Sequence, residues 1–437
     1  MSRKHTQITV REGDRIYKES EVSDPTIPTI SATHFQSLAG FILDNSDNAD
    51  IALAYFRQKG KEVIRFRNYV GVIETKSGLT IEILPKIDHP KDIREQRCLF
   101  LNMLRHLKKS QVKSIHEAHV NTRKFPVFEI FITAFLAEMD KLVQKGVKRA
   151  YREKEENLNC AKGRIHIPAQ LSQNLVHKEK FYVHYDEFSL DIPQNRILKT
   201  SFHYLLHRSR LHQNKIRLKQ YLQVWDAIPF SKNMEADFRQ TNGLSRLYSH
   251  YEKPLQWAKV FLKGESFTNF RGKSVNTALL FPMERIFEDY AAAMFRKYLN
   301  DPELTVVIQD ARKYLVDRHI NSPEFRLKPD MVIEKNGKPV AILDTKWKAI
   351  DGTAAVKHYG IAQSDMYQLY AYGRKYGGNP LLFLIYPENE NFKTPLPPFS
   401  YQAGALELHV IPFRMSRNRR AIEAFVDGVR RALYASS

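Results

Sequence analysis

Apolar and polar residues alternate with two different periods in the first part of the chain. In residues 32–45 the apolar positions recur every three or four residues, as in an amphipathic helix. In residues 71–75 and 79–84 they form short β-branched runs, and the polar segment 76–78 between the runs predicts a hairpin turn. The first 90 residues are therefore expected to form an N-terminal α+β region with a small β-rich part.

Helical spacing dominates the middle of the chain. Residues 93–109 and 127–147 carry apolar stripes at intervals of three and four residues. Near residues 250–275 the chain becomes rich in Gly, Ser, Thr and Asn, which is typical of a boundary. The pattern predicts an α/β multidomain protein with an N-terminal region over 1–90, a helical and mixed middle region over 91–255 and a C-terminal region over 256–437.

In the C-terminal region, helix-like and strand-like segments follow an order that predicts a mixed sheet flanked by helices. Residues 309–326 fit either a strand or a loop. The other segments are helix 282–299, strand 305–308, hairpin 327–348, helix 363–376, strands 380–386 and 405–411, and helix 419–434.

The hairpin 327–348, LKPDMVIEKNGKPVAILDTKWK, carries charged residues at the ends of its two apolar runs. Asp344 and Lys346 are two residues apart, so their side chains project from the same face of a strand. The Asn-Gly turn between the runs brings Asp330 to the same edge of the sheet. The pattern therefore predicts that two carboxylates and one lysine converge there.

Such a set suits the hydrolysis of a phosphodiester. Mg²⁺ prefers carboxylate oxygens and polarises phosphoryl oxygens, while a nearby lysine can position water or stabilise developing charge. An Asp-x-Lys alone is very common and would favour a solvated hairpin end. The Pro-Asp at the far end of the hairpin favours the metal site.

Two flanking helices place further polar residues near this edge. Glu288 lies beside the apolar stripe of the upstream helix. It is a candidate metal ligand, and the alternative is a surface charge that interacts favourably with the helix dipole. Gln368 and Tyr372 share one face of the downstream helix. They are candidates to orient the lysine or to contact DNA phosphates, and packing on the sheet is the alternative for the tyrosine. Lys348 continues the alternation of Lys346 and is a candidate DNA contact.

The net charge of the chain indicates a type of binding partner. The 437 residues include 68 Lys and Arg against 48 Asp and Glu, a formal net charge of +20. Such a surplus favours a polyanion as the binding partner. Nucleic acid is favoured over the two alternatives, which are a membrane surface and a basic protein with no such partner. Within the basic segment 414–420, we expect Arg417, Arg419 and Arg420 to contact DNA phosphates.

Other features narrow the protein class. No apolar run approaches the roughly 18 residues needed to cross a bilayer, and the polar N-terminus is unlike a signal peptide. Cys98 and Cys160 are far apart and belong to no CxxC, which disfavours a disulfide framework or a cysteine zinc site. We therefore expect a cytoplasmic protein without a membrane partner.

These motifs resemble known nucleases. Pro329-Asp330 followed by Asp344-Thr345-Lys346 resembles the PD-(D/E)xK signature, and the segment from Gln368 to Tyr372 resembles the QxxxY helix motif of its RecB-like branch. The resemblance implies a catalytic set of Asp330, Asp344 and Lys346 with Glu288 and Gln368 in support. It implies Mg²⁺, with Mn²⁺ as a substitute, bound by Asp330, Asp344 and Glu288.

A longer resemblance covers most of the chain. Segments such as NYVGVIETKSGLTIEILPKI, YDEFSLDIPQNRILKTSFHYLL, FPMERIFEDYAAAMF and DMYQLYAY occur in an order similar to the McrC family, the nuclease subunit of the McrBC modification-dependent restriction system. The family implies a C-terminal nuclease for double-stranded DNA and an N-terminal part that docks into the pore of an AAA+ GTPase hexamer and stimulates it. The partner, of the McrB type, reads methylated cytosine and translocates DNA.

Two other functions remain open at this stage. One is a stand-alone RecB-like DNA nuclease, against which the long non-nuclease half argues. The other is a non-catalytic regulatory plug of a motor hexamer, against which the intact Asp330, Asp344 and Lys346 argue. The sequence has no G-x-x-x-x-G-K-[ST] loop, so we expect nucleotide hydrolysis from a partner.

Overall fold

A computed structural model gives the fold of two compact parts of the chain. The first unit draws its residues from Met1–His116, Asn121–Val127 and Ser266–Ser437, and the second from Glu117–Val120 and Phe128–Glu265. The structure describes residues 6–21, 24, 27–44, 52–75, 77–86, 92–106, 125–241, 246–263, 275–401, 405–416 and 418–435.

Helices occur in both units, and their bounds agree closely with the helical spacing in the sequence. The α-helices of the described chain are α1 (Ala32–Asp44), α2 (Ile93–Arg105), α3 (Val127–Gln144), α4 (Ile167–Gln173), α5 (Pro193–Leu206), α6 (His212–Val224), α7 (Met234–Gln240), α8 (Glu252–Lys263), α9 (Met283–Tyr298), α10 (Gln363–Tyr376) and α11 (Arg419–Ala435).

Strands form several separate sheets. The strands of the described chain are β1 (Thr6–Arg11), β2 (Arg15–Lys18), β3 (Thr29–Ile30), β4 (Leu53–Gln58), β5 (Lys61–Phe66), β6 (Tyr69–Thr75), β7 (Leu79–Leu84), β8 (Ala150–Leu158), β9 (Arg164–Ile165), β10 (Phe181–Ser189), β11 (Val275–Pro282), β12 (Leu304–Ile308), β13 (Tyr314–His319), β14 (Ser322–Arg326), β15 (Met331–Lys335), β16 (Lys338–Thr345), β17 (Leu381–Pro387), β18 (Phe399–Tyr401) and β19 (Leu406–Phe413).

One apolar core of the first unit joins α1 to the sheets β3-β2-β5-β4 and β1-β7-β6-β11. The helical period of α1 buries Phe35, Leu38 and Phe41 in this core. Strands β6 and β7 pair in antiparallel fashion, which confirms the predicted hairpin. At Gly71, φ is +136° and an added Cβ would lie 1.9 Å from the Leu279 carbonyl oxygen, so the close approach of β11 requires glycine.

Strand β11 links distant parts of the sequence. It pairs antiparallel with β6, with Pro282 opposite Tyr69, and continues directly into α9, where the Met283 N–H donates to the Asn68 carbonyl. The first unit thus combines residues that the sequence pattern divided between an N-terminal and a C-terminal region. Local periodicity does not reveal this grouping because it carries no information on which distant strands pair.

The C-terminal sheet, with strand order β12-β15-β16-β17-β19-β18, confirms the predicted mixed sheet flanked by helices. Strand β17 is almost entirely apolar and buried, as expected of a central parallel strand. Helix α10 packs on one face through Leu369 and Tyr376. Helix α9 packs on the other, where the Phe287 ring lies 5.7 Å from Phe413.

The second unit is mainly helical and has an aromatic core. The Trp257 ring lies 5.7 Å from Phe131 and 5.6 Å from Phe261, and Phe135 lies 5.8 Å from Phe202. Strand β10 pairs with β8 and β9 to form a separate sheet. Among the helices that the structure describes in either unit, none is both long enough and apolar enough to cross a membrane.

Candidate functional site

The hairpin β15–β16 brings the predicted acidic residues together. Asn336 and Gly337 both have positive φ, +52° and +75°, as a type I′ turn requires. The register pairs Met331 with Leu343, so Asp330 and Asp344 are the next opposed positions at the open end. The register shifts by one residue between Ile333 and Glu334, so the turn and this irregularity together place the two carboxylates opposite each other.

Asp330 is held by the strand opposite. Its Oδ2 accepts hydrogen bonds from the backbone N–H of Thr345 at 2.7 Å and from the Thr345 hydroxyl at 2.6 Å. Burial raises the pKa of Asp330 well above its usual range, and the negative charges of Asp344 and Glu288 raise it further. The carboxyl is thus fixed in position while its ionised form is disfavoured.

Asp344 is 2% exposed, and its charge is only partly compensated. Lys346 Nζ lies 2.6 Å from Asp344 Oδ2. The ion pair is close but poorly directed, because this buried oxygen accepts no hydrogen bond of good geometry. Burial raises the pKa of Asp344 above its usual value, although Lys346 acts to lower it. A cation at this oxygen would complete its coordination.

Lys346 begins a chain of contacts into α10. Its Nζ donates to Gln368 Oε1 at 2.8 Å, and Gln368 Nε2 donates to the Tyr372 hydroxyl at 2.7 Å. Burial acts to lower the pKa of Lys346, but Asp344, Asp365 and Asp330 together outweigh it, and the pKa lies above its usual value. The ammonium is therefore charged and fixed between the carboxylate and the amide.

Tyr372 packs in the core rather than on the surface. It is 4% exposed, and burial raises the pKa of its hydroxyl to about 12. This position is at odds with the predicted DNA contact by Tyr372. It agrees with the other predicted role, in which the tyrosine orients the lysine through Gln368.

Asp365, which the sequence analysis missed, binds Lys348, the second lysine after the end of β16. It is 5% exposed, and its Oδ2 accepts from Lys348 Nζ at 3.0 Å and from the Tyr386 hydroxyl at 3.2 Å. Its Oδ1 is 3.9 Å from Lys346 Nζ. The signal that could have found it is its place three residues before Gln368, on the same face of the helix. Lys348 is partly exposed and tied to this acid.

Glu288 reaches the site through another missed residue, Gln309. Gln309 Nε2 donates to Glu288 Oε1 at 2.6 Å, and its backbone N–H donates to the Asp330 carbonyl at 2.9 Å. Gln309 has φ of +51°, a conformation that glutamine rarely adopts and that no sequence pattern indicated. Glu288 thus lies near Asp330 and acts on its charge, with Gln309 between the two elements.

The predicted basic contacts lie at the start of α11. Arg419 is exposed and pairs with Glu423 at 2.6 Å, and the Arg420 N–H donates to Asn418 Oδ1. These contacts leave both residues at the surface and do not join them to the carboxylates. Arg417 lies outside the described residues.

The carboxylates at this edge fit a metal that takes few protein ligands. Within the described ranges, no three or more His, Cys, Asp or Glu side chains are grouped to hold an ion, so Asp330, Asp344 and Glu288 are not a preformed three-carboxylate cage. Mg²⁺ is usually held by one or two carboxylates together with waters and phosphate oxygens. The opposed Asp330 and Asp344 supply two such carboxylates, and Asp344 Oδ2 is paired with the Lys346 ammonium rather than enclosed by hydrogen-bond donors.

Comparisons with known proteins agree with this architecture. The family model described as "McrBC 5-methylcytosine restriction system component" matches residues 64–387. Curated protein sequences gave no match.

Two solved structures are similar in fold. A chain of the refined half-complex from a tetradecameric assembly of Thermococcus gammatolerans McrB AAA+ hexamers with bound McrC is 19% identical, with a TM-score of 0.67, over 98% of this chain and 100% of that chain. A chain of the cryo-EM structure of the Thermococcus gammatolerans McrBC complex is 22% identical, with a TM-score of 0.48, over 68% of this chain and 89% of that chain. Because the family model covers most of its length, this chain belongs to the McrBC 5-methylcytosine restriction system component family.

Proposed function

We propose that this chain is the Mg²⁺-dependent DNA endonuclease subunit of a modification-dependent restriction complex. The observation that carries the proposal is the set of Asp330, Asp344 and Lys346 at one edge of a mixed sheet, within a member of this restriction family. Two buried carboxylates beside a fixed ammonium are costly to a fold unless they serve a function. The sheet and its flanking helices are those of a PD-(D/E)xK nuclease in this proposal.

The residues have distinct tasks. Asp330 and Asp344 hold Mg²⁺, or Mn²⁺ as a substitute, and the bound ion supplies Lewis-acid polarisation of the phosphoryl group. Lys346 holds a positive charge beside the carboxylates, where negative charge develops on a phosphodiester under attack. Gln368 fixes the direction of that ammonium, and Tyr372 fixes Gln368. Glu288 raises the negative potential at Asp330 and favours cation binding.

The partner in this proposal is an AAA+ GTPase hexamer of the McrB type. The solved complex with similar fold holds McrC on McrB AAA+ hexamers. The present sequence has no phosphate-binding loop of its own. We therefore assign recognition of modified DNA, translocation and GTP hydrolysis to the partner, and assign docking, stimulation and strand cleavage to this chain.

The test compares wild type with Asp344→Asn on methylated and unmethylated duplex DNA, with Mg²⁺, GTP and the GTPase subunit of the same system. The proposal expects wild type to cleave methylated DNA only when all components are present, and the variant to lose cleavage but still stimulate GTP hydrolysis. Asp351→Asn, at a surface carboxylate that binds Thr353, is the control and is expected to cleave like wild type.

Other outcomes would contradict parts of the proposal. Cleavage by wild type alone, independent of GTP, would identify a stand-alone nuclease. Stimulation of the GTPase with no cleavage under any condition would identify a regulatory plug. Equal cleavage by wild type and Asp344→Asn would remove Asp344 from the site.

A further inference from the structure

An antiparallel ribbon leaves the C-terminal sheet beside the candidate site. Strands β13 and β14, paired with each other alone among the described strands, form this ribbon. Tyr314 is opposite Arg326, and His319 is opposite Ser322 near the tip. With six residues in β13 and a rise of about 3.3 Å per residue, the ribbon is about 20 Å long.

The base of the ribbon is fixed to the residues that position the site. The Leu327 N–H donates to the Lys313 carbonyl at 2.9 Å and closes the base. Just before the ribbon, the Gln309 N–H donates to the Asp330 carbonyl. The ribbon therefore begins and ends on segments that are bonded to, or three residues from, Asp330.

The ribbon carries exposed positive charge. Lys313, Arg318, Arg326 and Lys328 are exposed, against the acidic Asp317 and Glu324. Asp317 is neutralised by Lys375 of α10, whose Nζ lies 2.9 Å from both carboxylate oxygens. The charge available to a partner is therefore positive, and it suits a polyanion.

Apolar side chains are also exposed on the ribbon. Ile320 at the tip is 78% exposed and Phe325 in β14 is 72% exposed, and both have positive φ, +53° and +56°. Bulky residues in this conformation are strained, and backbone strain of this kind clusters at sites that bind ligands. A partner that combines phosphates with apolar base edges matches both features.

We propose that the β13–β14 ribbon binds in the major groove of the duplex DNA that is cleaved, next to the scissile phosphodiester. The major groove is about 12 Å wide and admits a two-stranded ribbon. Arg318 and Arg326 bind the phosphates on its walls, and Phe325 and Ile320 contact base edges such as the thymine methyl group. This inference rests on the proposed function, since it assigns the ribbon to the substrate of the same site.

The first experiment measures binding of the full-length chain to a fluorescein-labelled 30-base-pair duplex by anisotropy, in EDTA so that no cleavage occurs. Arg318→Gln with Arg326→Gln is expected to raise Kd about tenfold or more and to reduce the salt dependence by about two phosphate contacts. The conservative pair Arg318→Lys with Arg326→Lys keeps the charge and is expected to restore most of the binding, which excludes misfolding as the cause.

The β4–β5 hairpin provides the matched control. It also ends in a tight turn with exposed basic residues, and Arg57→Gln with Lys61→Gln removes the same charge. Equal effects of the two glutamine pairs would overturn the proposal, because only general charge would then matter. Absence of duplex binding by wild type would overturn it too.

A second measurement tests the groove. Guanine N7 faces the major groove, and wild type is expected to protect it from dimethyl sulfate while the glutamine pair does not. Binding without N7 protection would place the ribbon outside the groove and overturn that assignment. If wild type binds as expected but never cleaves with GTPase and Mg²⁺ present, the proposed nuclease function fails while the DNA-binding ribbon stands.

Discussion

Two carboxylates of the first unit, Glu82 and Asp344, are buried to a similar extent but differ in their hydrogen bonding. Glu82 of β7 is 1% exposed and accepts hydrogen bonds from Arg97 Nε at 2.9 Å and Nη2 at 2.6 Å, from the Val127 N–H at 2.9 Å and from the Thr9 hydroxyl at 3.1 Å. Asp344 of β16 has one close lysine, a raised pKa and an oxygen without a well-directed donor.

The difference is the one expected between an acid that stabilises the fold and the metal ligand that we propose. Glu82 joins a strand, a helix and a chain segment, and every donor that it needs is supplied by the fold. Asp344 is paired with the Lys346 ammonium and has no comparable set of donors around it, which leaves the carboxylate able to share a metal ion. Completeness of hydrogen bonding, rather than burial, distinguishes the two.

The second unit supplies another acid of the Glu82 kind. Glu129 of α3 is buried and accepts from the Ser209 hydroxyl at 2.8 Å, the Asn214 amide at 2.9 Å and the Leu211 N–H at 3.2 Å. It thereby ties the connection between α5 and α6 to α3. A buried acid whose hydrogen bonds are complete again has a structural role.

The largest expected effect comes from Asp344→Asn. We expect cleavage to fall on the order of 10⁴-fold, about 5 kcal/mol of transition-state stabilisation, because an essential metal ligand is lost. Folding stability is expected to stay the same or rise, since a buried charge that the fold disfavours is removed. Single-turnover cleavage measures the first effect and urea unfolding the second. Marked destabilisation would show that Asp344, like Glu82, stabilises the fold.

Glu82→Gln, in contrast to Asp344→Asn, is expected to lower the stability of the fold. It leaves the buried Arg97 without a counter-charge, which costs about 3–5 kcal/mol in the free energy of unfolding. Urea unfolding measures this loss, and Glu95→Gln, an exposed change in the same helix as Arg97, is expected to stay within about 0.5 kcal/mol. A destabilisation of Glu82→Gln below 1 kcal/mol would contradict the comparison.

Glu12 lies between these extremes. Its Oε1 accepts from Trp347 Nε1 at 2.7 Å and from the Lys86 N–H at 2.9 Å, while Oε2 is buried without a hydrogen-bond partner. Burial raises the pKa of Glu12 from 4.5 to about 7, against the lowering effect of these hydrogen bonds. The folded chain therefore binds this proton more tightly than the unfolded chain.

The contribution of Glu12 to stability is present below about pH 4.5 and is lost as the pH rises through about 7. The full loss is about 3 kcal/mol. Glu12→Gln is expected to abolish it, so the difference between wild type and variant in the free energy of unfolding should change by about that amount from pH 4.5 to pH 8. Parallel pH profiles for the two proteins would refute the assignment.

The smallest expected effect concerns the direction of Lys346. Gln368→Ala removes the hydrogen bond to a charged group, and we expect kcat to fall about tenfold with little change in KM or in stability. Helix α10 provides a matched control in Gln363, whose amide donates to the Tyr367 hydroxyl four residues on, at the surface. Gln363→Ala is expected to leave cleavage unchanged, and similar losses in both variants would point to the helix rather than the lysine.

The sequence predicted those parts of the site whose geometry is local. The Asn-Gly turn fixes a type I′ hairpin, the alternation of a strand places Asp344 and Lys346 on one face, and helical spacing joins Gln368 to Tyr372. The structure confirms each of these placements. The roles of Asp330, Asp344 and Lys346 in cleavage stay predictions.

The sequence could not predict contacts between residues that are far apart in the chain. Gln309 reaches Glu288 and Asp330 only because its backbone adopts a rare conformation, and Asp365 reaches Lys348 only because α10 crosses β16 at a particular position. The spacing of Tyr372 fitted both a surface and a buried position, and its packing against the sheet decided between them.

The sequence by itself determined the hairpin, its turn and the chemical types of the residues at its open end, because these depend on the conformations of neighbouring residues. Only the tertiary structure decided that β11 pairs with β6, that Glu82 is fully satisfied and that Asp344 is not. Burial and hydrogen-bond completion depend on groups brought together from distant segments. Those two properties distinguish an acid that holds the fold from one that can hold a metal.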